Sequence, residues 1–177
     1  MKFTLAYLCF AILVACATSA NAAAQNSAHD QVGPVPLAIL AAKSIFVSNA
    51  GADSGLFPSP FTGDPDRAYT EFYAALKATG DYQLAGDPSQ ADLVLELQLF
   101  APSGPTNPNK SNGAADPLPR FRLIVYDRKT HYVLWTVTES IDTAFSQKSH
   151  DKNFDLALNE LLNEFLYVAG KTKSPPN

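Results

Sequence analysis

From Leu93 to Leu99 every second residue is a leucine: Leu93, Leu95, Leu97 and Leu99 alternate with Val94, Glu96 and Gln98, and Phe100 follows. A period of two places all four leucines on one face of a β-strand. A strand with a wholly apolar face has to be covered by another layer of structure. The cover is legible at the other end of the chain. Phe154, Ala157, Leu158, Leu161, Leu162, Phe165 and Val168 recur three and four residues apart, with Asp155, Asn159, Glu160, Asn163 and Glu164 between them. That pattern is an amphipathic helix ending at Gly170. A leucine-faced strand and a long one-sided helix together predict an α/β (α+β) domain.

The remaining elements follow from the same two periods. Segment Ile39 to Asn49 ends in Ser44-Ile45-Phe46-Val47-Ser48, a run suited to a buried strand. Asp64 as cap, Pro65 at the first helical position and Asp66 near the positive end predict a helix start, and Tyr69, Phe72, Tyr73 and Leu76 continue it to Gly80. Tyr82 to Gly86 reads as a short strand. Phe121, Leu123 and Val125 share a face of one hairpin strand; Val133, Trp135 and Val137 share a face of the other, across the polar turn Asp127-Arg128-Lys129-Thr130. The expected order is β-α-β-β-β-β-α, five strands and two main helices in one domain over residues 37–170.

Two stretches resist assignment. Residues 50–63 are rich in Gly, Ser and Pro yet hold Leu56, Phe57 and Phe61, which are expected to fold onto the helix start or the sheet edge; a ligand-binding aromatic pair is the alternative. Residues 101–119 hold five prolines and little to bury, and are expected to be mobile.

The amino terminus reads as an export signal: Lys2, an apolar run from Phe3 to Val14, then small residues. The run is too short to span a bilayer as a helix. Ala20-Asn21-Ala22 supplies a cleavage site, so residues 1–22 form the signal and 23–36 a flexible tether. Leu13-Val14-Ala15-Cys16 is a competing site of lipobox form, in which Cys16 becomes acylated. Both cysteines, Cys9 and Cys16, lie in this segment, so the domain has no disulfide and its core must hold it unaided. Residues 171–177 are a polar tail.

The chemistry-bearing residues form no motif. Gly51, Gly55 and Gly63 match neither the dinucleotide nor the P-loop pattern. His29, His131 and His150 have no partner at metal-ligand spacing, and Asp64 with Asp66 lack the rest of a calcium loop. There is no nucleophile elbow, and Ser149-His150-Asp151 are sequence neighbours rather than a converging triad. Asp151/Asp155 and Glu160/Glu164 are one helical turn apart, as a solvated acidic face would be. No catalytic residue, cofactor or metal site is expected. A net charge of −4 with no basic run disfavours nucleic acid and anionic membrane surfaces.

Gln90-Ala91-Asp92-Leu93-Val94-Leu95-Glu96-Leu97, together with Leu123 to Thr130 and Val133-Leu134-Trp135, resembles a group of small bacterial envelope domains: the TolB amino-terminal domain, the curli-secretion lipoprotein and the penicillin-binding-protein activator lipoproteins. The resemblance covers roughly residues 40 to 170. It implies a mixed sheet with packed helices and action by binding other proteins rather than by catalysis. The reading that follows is a non-catalytic binding or assembly module, exported to the periplasm or secreted. Its partner would be another envelope protein, and membrane attachment would come only through Cys16. The alternative is a small-ligand-binding protein or hydrolase using the 50–63 and 101–119 loops. Arg122, Tyr126 and Tyr132, on the strand face opposite the leucines, are the candidate partner contacts, because arginine and aromatics most often dominate binding energy.

The maturation reading predicts an exported chain beginning at or near Ala23, or at an acylated Cys16. Intact-mass measurement distinguishes the two, and a mass retaining residues Met1 to Ala15 refutes both.

Overall fold

Leu93, Leu95, Leu97 and Leu99 are all at most 1% exposed, so the alternation in the central strand does what its period requires. The structure, a computed structural model, describes residues 33–102 and 118–172. The signal segment, most of the tether, most of the 101–119 stretch and the end of the polar tail lie outside the described residues. From Val35 onward the chain forms one unit. Five strands, β1 (Ser44–Ala52), β2 (Gln83–Leu84), β3 (Leu93–Phe100), β4 (Arg120–Asp127) and β5 (Val133–Ser140), make one mixed sheet in the order β2-β1-β3-β4-β5. β1 runs parallel to β2 and β3; the β3–β4 and β4–β5 pairs are antiparallel.

Helices α2 (Arg67–Thr79) and α3 (Gln147–Val168) lie on the leucine side, α2 over β1 and β3, α3 over β4 and β5, and they also pack on each other. Phe72 and Leu76 of α2 and Phe154, Leu161 and Phe165 of α3 are fully buried there, with Ile45, Phe121, Leu123 and Val125 from the sheet. Ser146 caps α3 through its hydroxyl, and Gly80 closes α2 in the left-handed region at φ 72°. The 50–63 stretch is part of the core. Leu56 and Phe61 are buried, and Phe61 packs tilted on Phe154 at 5.2 Å, which in turn meets Phe121 edge-on at 4.9 Å. Phe57 and Phe61 thus pack on the last helix, through Phe154 and His150, rather than on the start of α2 or the sheet edge.

Several local readings need correction. A one-turn helix, α1 (Leu37–Ala41), precedes β1 and buries Ile39; a run of five residues carries no helical period to read. Helix α2 starts at Arg67 rather than at Pro65. Asp64 Oδ1 instead accepts from the Asp66 amide, and Asp66 Oδ1 accepts from Asn49 Nδ2, so the Asp-Pro-Asp run is a turn that ties the helix to β1. The strand read at Tyr82–Gly86 is only two residues long.

The hairpin shows the largest difference. Val125 faces Trp135, but Tyr126 faces Val133, so β5 carries one extra residue, Leu134. This β-bulge reverses the faces beyond it. Val133, expected inside beside Trp135, is exposed, whereas Leu134, expected on the opposite face, packs against the core with Trp135. Trp135 is half-buried rather than enclosed, because it lies on the edge strand.

Replacing Phe154 with alanine removes the ring on which Phe61, Phe121 and Arg67 converge. It should cost about 3–5 kcal/mol, the range for truncating a buried large aromatic. Urea unfolding reads this as a lower midpoint at unchanged slope; an unchanged midpoint contradicts the packing described.

Candidate partner-binding face

The two long helices occupy one side of the sheet, and no described element covers the other. That open face is built from alternate residues of four strands: Phe46 and Ser48 on β1, Val94, Glu96, Gln98 and Phe100 on β3, Arg120, Arg122, Ile124 and Tyr126 on β4, Thr136 and Thr138 on β5. On β3 and β4 these residues are half-buried, each partly shielded by its neighbours across the strands. Apolar, aromatic and charged groups alternate over the surface, a composition suited to docking.

Arg122 lies directly across from Gln98 and donates to its side-chain oxygen through Nη2, and its guanidinium sits 5.2 Å over the Phe100 ring. This is within the range of a cation–π contact. Arg120 is its neighbour on the same face, and the Nε atoms of both arginines are buried with no hydrogen-bond partner. Tyr126 donates to Glu96 Oε1 at 3.4 Å; burial, then the Glu96 charge, raises its pKa above the usual phenol value. Beside it an open depression of about 540 Å³ is lined by Val94, Glu96, Tyr126, Arg128, Lys129 and His131 among others. Of the three residues chosen from sequence, Arg122 and Tyr126 thus share the face. Tyr132 lies in the turn before β5, not in the strand, where its carbonyl accepts from the Asp127 amide, and is 73% exposed. Phe100 falls on this face by the alternation in β3 but was not chosen as a contact from sequence, and neither were Arg120 or the basic group at 128–131.

The end of the sheet next to the depression is built by the two stretches that carried the family resemblance. Asp92 Oδ2 accepts from the Lys43 and Ser44 amides at 2.9 and 3.0 Å, tying the start of β1 to the start of β3, and these bonds hold its carboxyl below the usual range. Asp127 Oδ1 accepts from the Lys129 and Thr130 amides, closing the hairpin turn, and is lowered by the same kind of bond. Arg128 joins the two stretches, its amide donating to Asp92 O and its Nε to Ala91 O. The shared motif residues are structural.

The helix side holds the other polar cluster. Arg67 donates from Nη1 to Asp151 Oδ1 at 2.6 Å, from Nη2 to Asp155 Oδ1 at 2.7 Å and from Nε to Glu71 Oε1 at 2.8 Å, and its guanidinium lies 4.2 Å over the Phe154 ring. Asp151 Oδ1 also accepts from the Thr62 amide and hydroxyl. Burial raises the Asp151 carboxyl, but these hydrogen bonds outweigh it, and its pKa falls below the ordinary 3.8. The Asp151/Asp155 pair is therefore a docking clasp for α2. Asp151 is committed to Arg67, and His150 stands edge-on to Phe61 at 6.2 Å, so Ser149, His150 and Asp151 do not converge. Among the described residues no group of His, Cys, Asp or Glu is placed to hold a metal ion, and no helix is long and apolar enough to cross a membrane.

No family model and no curated protein sequence matches the chain. Solved structures similar to it include the PelC dodecamer of Paraburkholderia phytofirmans, 15% identical over 74% of this chain and 89% of that one, TM-score 0.44. A DUF4136 family protein of Bacteroides thetaiotaomicron is 15% identical over 76% of this chain and 91% of that one, TM-score 0.46. The LpoB carboxy-terminal domain of Salmonella enterica is 14% identical over 64% of this chain and 87% of that one, TM-score 0.36.

One carboxylate near the end of β5 is held against its charge. Burial, then the charges of Glu164, Glu160 and Asp142, raises the Glu139 pKa above the ordinary 4.5. A carboxyl whose folded pKa is raised binds protons more tightly folded than unfolded, so it costs stability as pH rises through that window. Glu139→Gln should therefore raise the melting temperature at pH 7 and leave it near wild type at about pH 4, below the unfolded carboxyl value. A lower melting temperature at pH 7 contradicts this.

Proposed function

We propose that this chain is a non-catalytic binding module of the bacterial cell envelope, exported by its first 22 residues or anchored through Cys16, and that the helix-free face of its sheet docks a protein partner. The observation that carries this reading is the one-sided cover: α2 and α3 both lie on the leucine side, and Phe46, Val94, Phe100, Ile124 and Tyr126 remain on the other with no described element over them. A plain solvated sheet face would not carry so many large apolar groups, and a buried one would not carry Glu96, Arg120 and Arg122. Arg122 and Tyr126 form the centre of the contact, with Tyr132 at its rim. The alternative is a ligand or hydrolytic site using the 50–63 and 101–119 loops; in the first, Leu56 and Phe61 are packed in the core, and most of the second lies outside the described residues.

Site-specific photo-crosslinking in intact cells tests the reading. A photoreactive residue at Ile124 should yield a discrete protein adduct, and one at Asn159, exposed on α3, should not. Arg122→Glu, and independently Thr136→Arg on the same face, should remove the adduct while circular dichroism and melting remain those of the folded chain. Adducts of equal strength from both positions, or an adduct that survives both substitutions, refute the open face as the docking surface.

A further inference from the structure

The sheet has two edges, and they are unequal. At one edge β2 is only two residues long; at the other β5 runs for eight, Val133–Ser140, with no lysine and no proline in it. Long edge strands are usually guarded by such residues, by a bulge or by a covering element. Here the bulge at Leu134 guards only the first turn of the strand. The Ile141 amide donates to Pro119 O at 2.8 Å, so its polar groups turn inward. By the two-residue period of an antiparallel strand, those of Trp135, Val137 and Glu139 also turn toward β4, and those of Thr136, Thr138 and Ser140 turn away from the sheet. No described residue takes a hydrogen bond at these three outward positions.

The surroundings of that edge state what would fit it. α3 lies over β5, and on that side Glu139, Asp142 and Glu160 gather around a cavity of about 160 Å³ that Leu156 and Asn153 also line. Glu164 adds a further negative charge within reach of Glu139. Every ion pair among the described residues belongs to Arg67, so this group has no cation of its own. A second copy of the chain would bring the same carboxylates against these across a two-fold axis, and like charges disfavour that. On the other side of the sheet the edge offers Thr136, Thr138 and Ser140, small and uncharged.

We infer that the β5 edge accepts an extended strand from a partner protein, added to the sheet through the outward groups of Thr136, Thr138 and Ser140, with lysine or arginine at alternate positions facing Glu139 and Glu160. Main-chain hydrogen bonds supply the register and the alternating cations supply the selectivity, the usual division in strand addition. The stems of those cations would lie along Leu156, which is 51% exposed. The side chains of Thr136 and Thr138 border the open face, but the inference rests on the outward main-chain groups and the carboxylates of the edge and not on docking at that face.

The test uses the full exported chain and two labelled eight-residue probes, one alternating lysine with threonine and one alternating glutamate with threonine. Fluorescence anisotropy should show the lysine probe binding at least about tenfold more tightly, since like charge is penalised at such a contact. Hydrogen exchange at the Thr136, Thr138 and Ser140 amides should slow when that probe is added. Thr138→Pro removes one outward donor without touching the β4 ladder and should abolish binding; Glu139→Gln with Glu160→Gln should weaken it several-fold, and Arg122→Glu should leave it unchanged. Equal binding of the two probes, binding that survives Thr138→Pro, or loss of binding in Arg122→Glu overturns the inference. If Thr138→Pro fails to fold, the exchange measurement on the unaltered chain decides alone. Amides already protected in a dimer without probe would assign the edge to a second copy and overturn it as well.

Discussion

Four leucines on one face of β3 have to leave water, and the chain supplies two long helices to cover them. Each buried leucine side chain contributes about 1.5–3 kcal/mol relative to exposure. Once α2 and α3 are both spent on the leucine face, the opposite face is left to Val94, Glu96, Gln98 and Phe100 and their cross-strand neighbours. The protein's candidate surface is thus a consequence of how its core is closed. The same arrangement puts β5 at an edge, where α3 shields one side of it and no described residue bonds its outer groups.

Two polar devices hold the layers in register. Arg67 reaches from the first turn of α2 to Asp151 and Asp155 on α3, with Thr62 sharing Asp151 and the guanidinium resting on Phe154. One guanidinium is shared among Asp151, Asp155 and Glu71 and the ring beneath is buried, so the contact fixes the relative placement of the helices as well as their attraction. At the end of the sheet Asp92 and Asp127 each accept two backbone amides, and Arg128 bridges the stretches they belong to. Carboxylates used in this way are lowered in pKa, so their support is present at neutral pH and lost on acidification. Glu139 and Glu164 act in the opposite sense, as carboxyls whose charge the fold disfavours.

Such a division is common where a domain acts by contact. The helix side is closed by aromatic packing around Phe154 and by the Arg67 clasp. The free face carries Arg122 stacked on Phe100 and Tyr126 bonded to Glu96, side chains already held in place by cross-strand partners. Groups ordered before binding lose less entropy when a partner arrives. The turn that presents Tyr132, an exposed aromatic, is fixed by Asp127.

The alternation of leucines and the helical spacing from Phe154 to Val168 are local patterns with one physical solution each, so the α/β class, the strand order along the chain and most of the core were legible before any coordinates. Turn chemistry at Asp127 and the stop at Gly80 were legible for the same reason: short-range geometry selects those residues. Tertiary structure decided what depends on residues far apart. The partner of Asp151 lies 84 positions away at Arg67. The face occupied by Val133 and Leu134 depends on one extra residue in β5 relative to β4, and that can be seen only when the two strands are paired. The alternation put Arg122 and Tyr126 on the face opposite the leucines; that both helices fall on the leucine side, leaving the other with no described element over it, lies beyond any period in the sequence. A period says which face of an element is apolar, whereas the side of the sheet on which that element lands is settled by chain connection and packing against every other element at once.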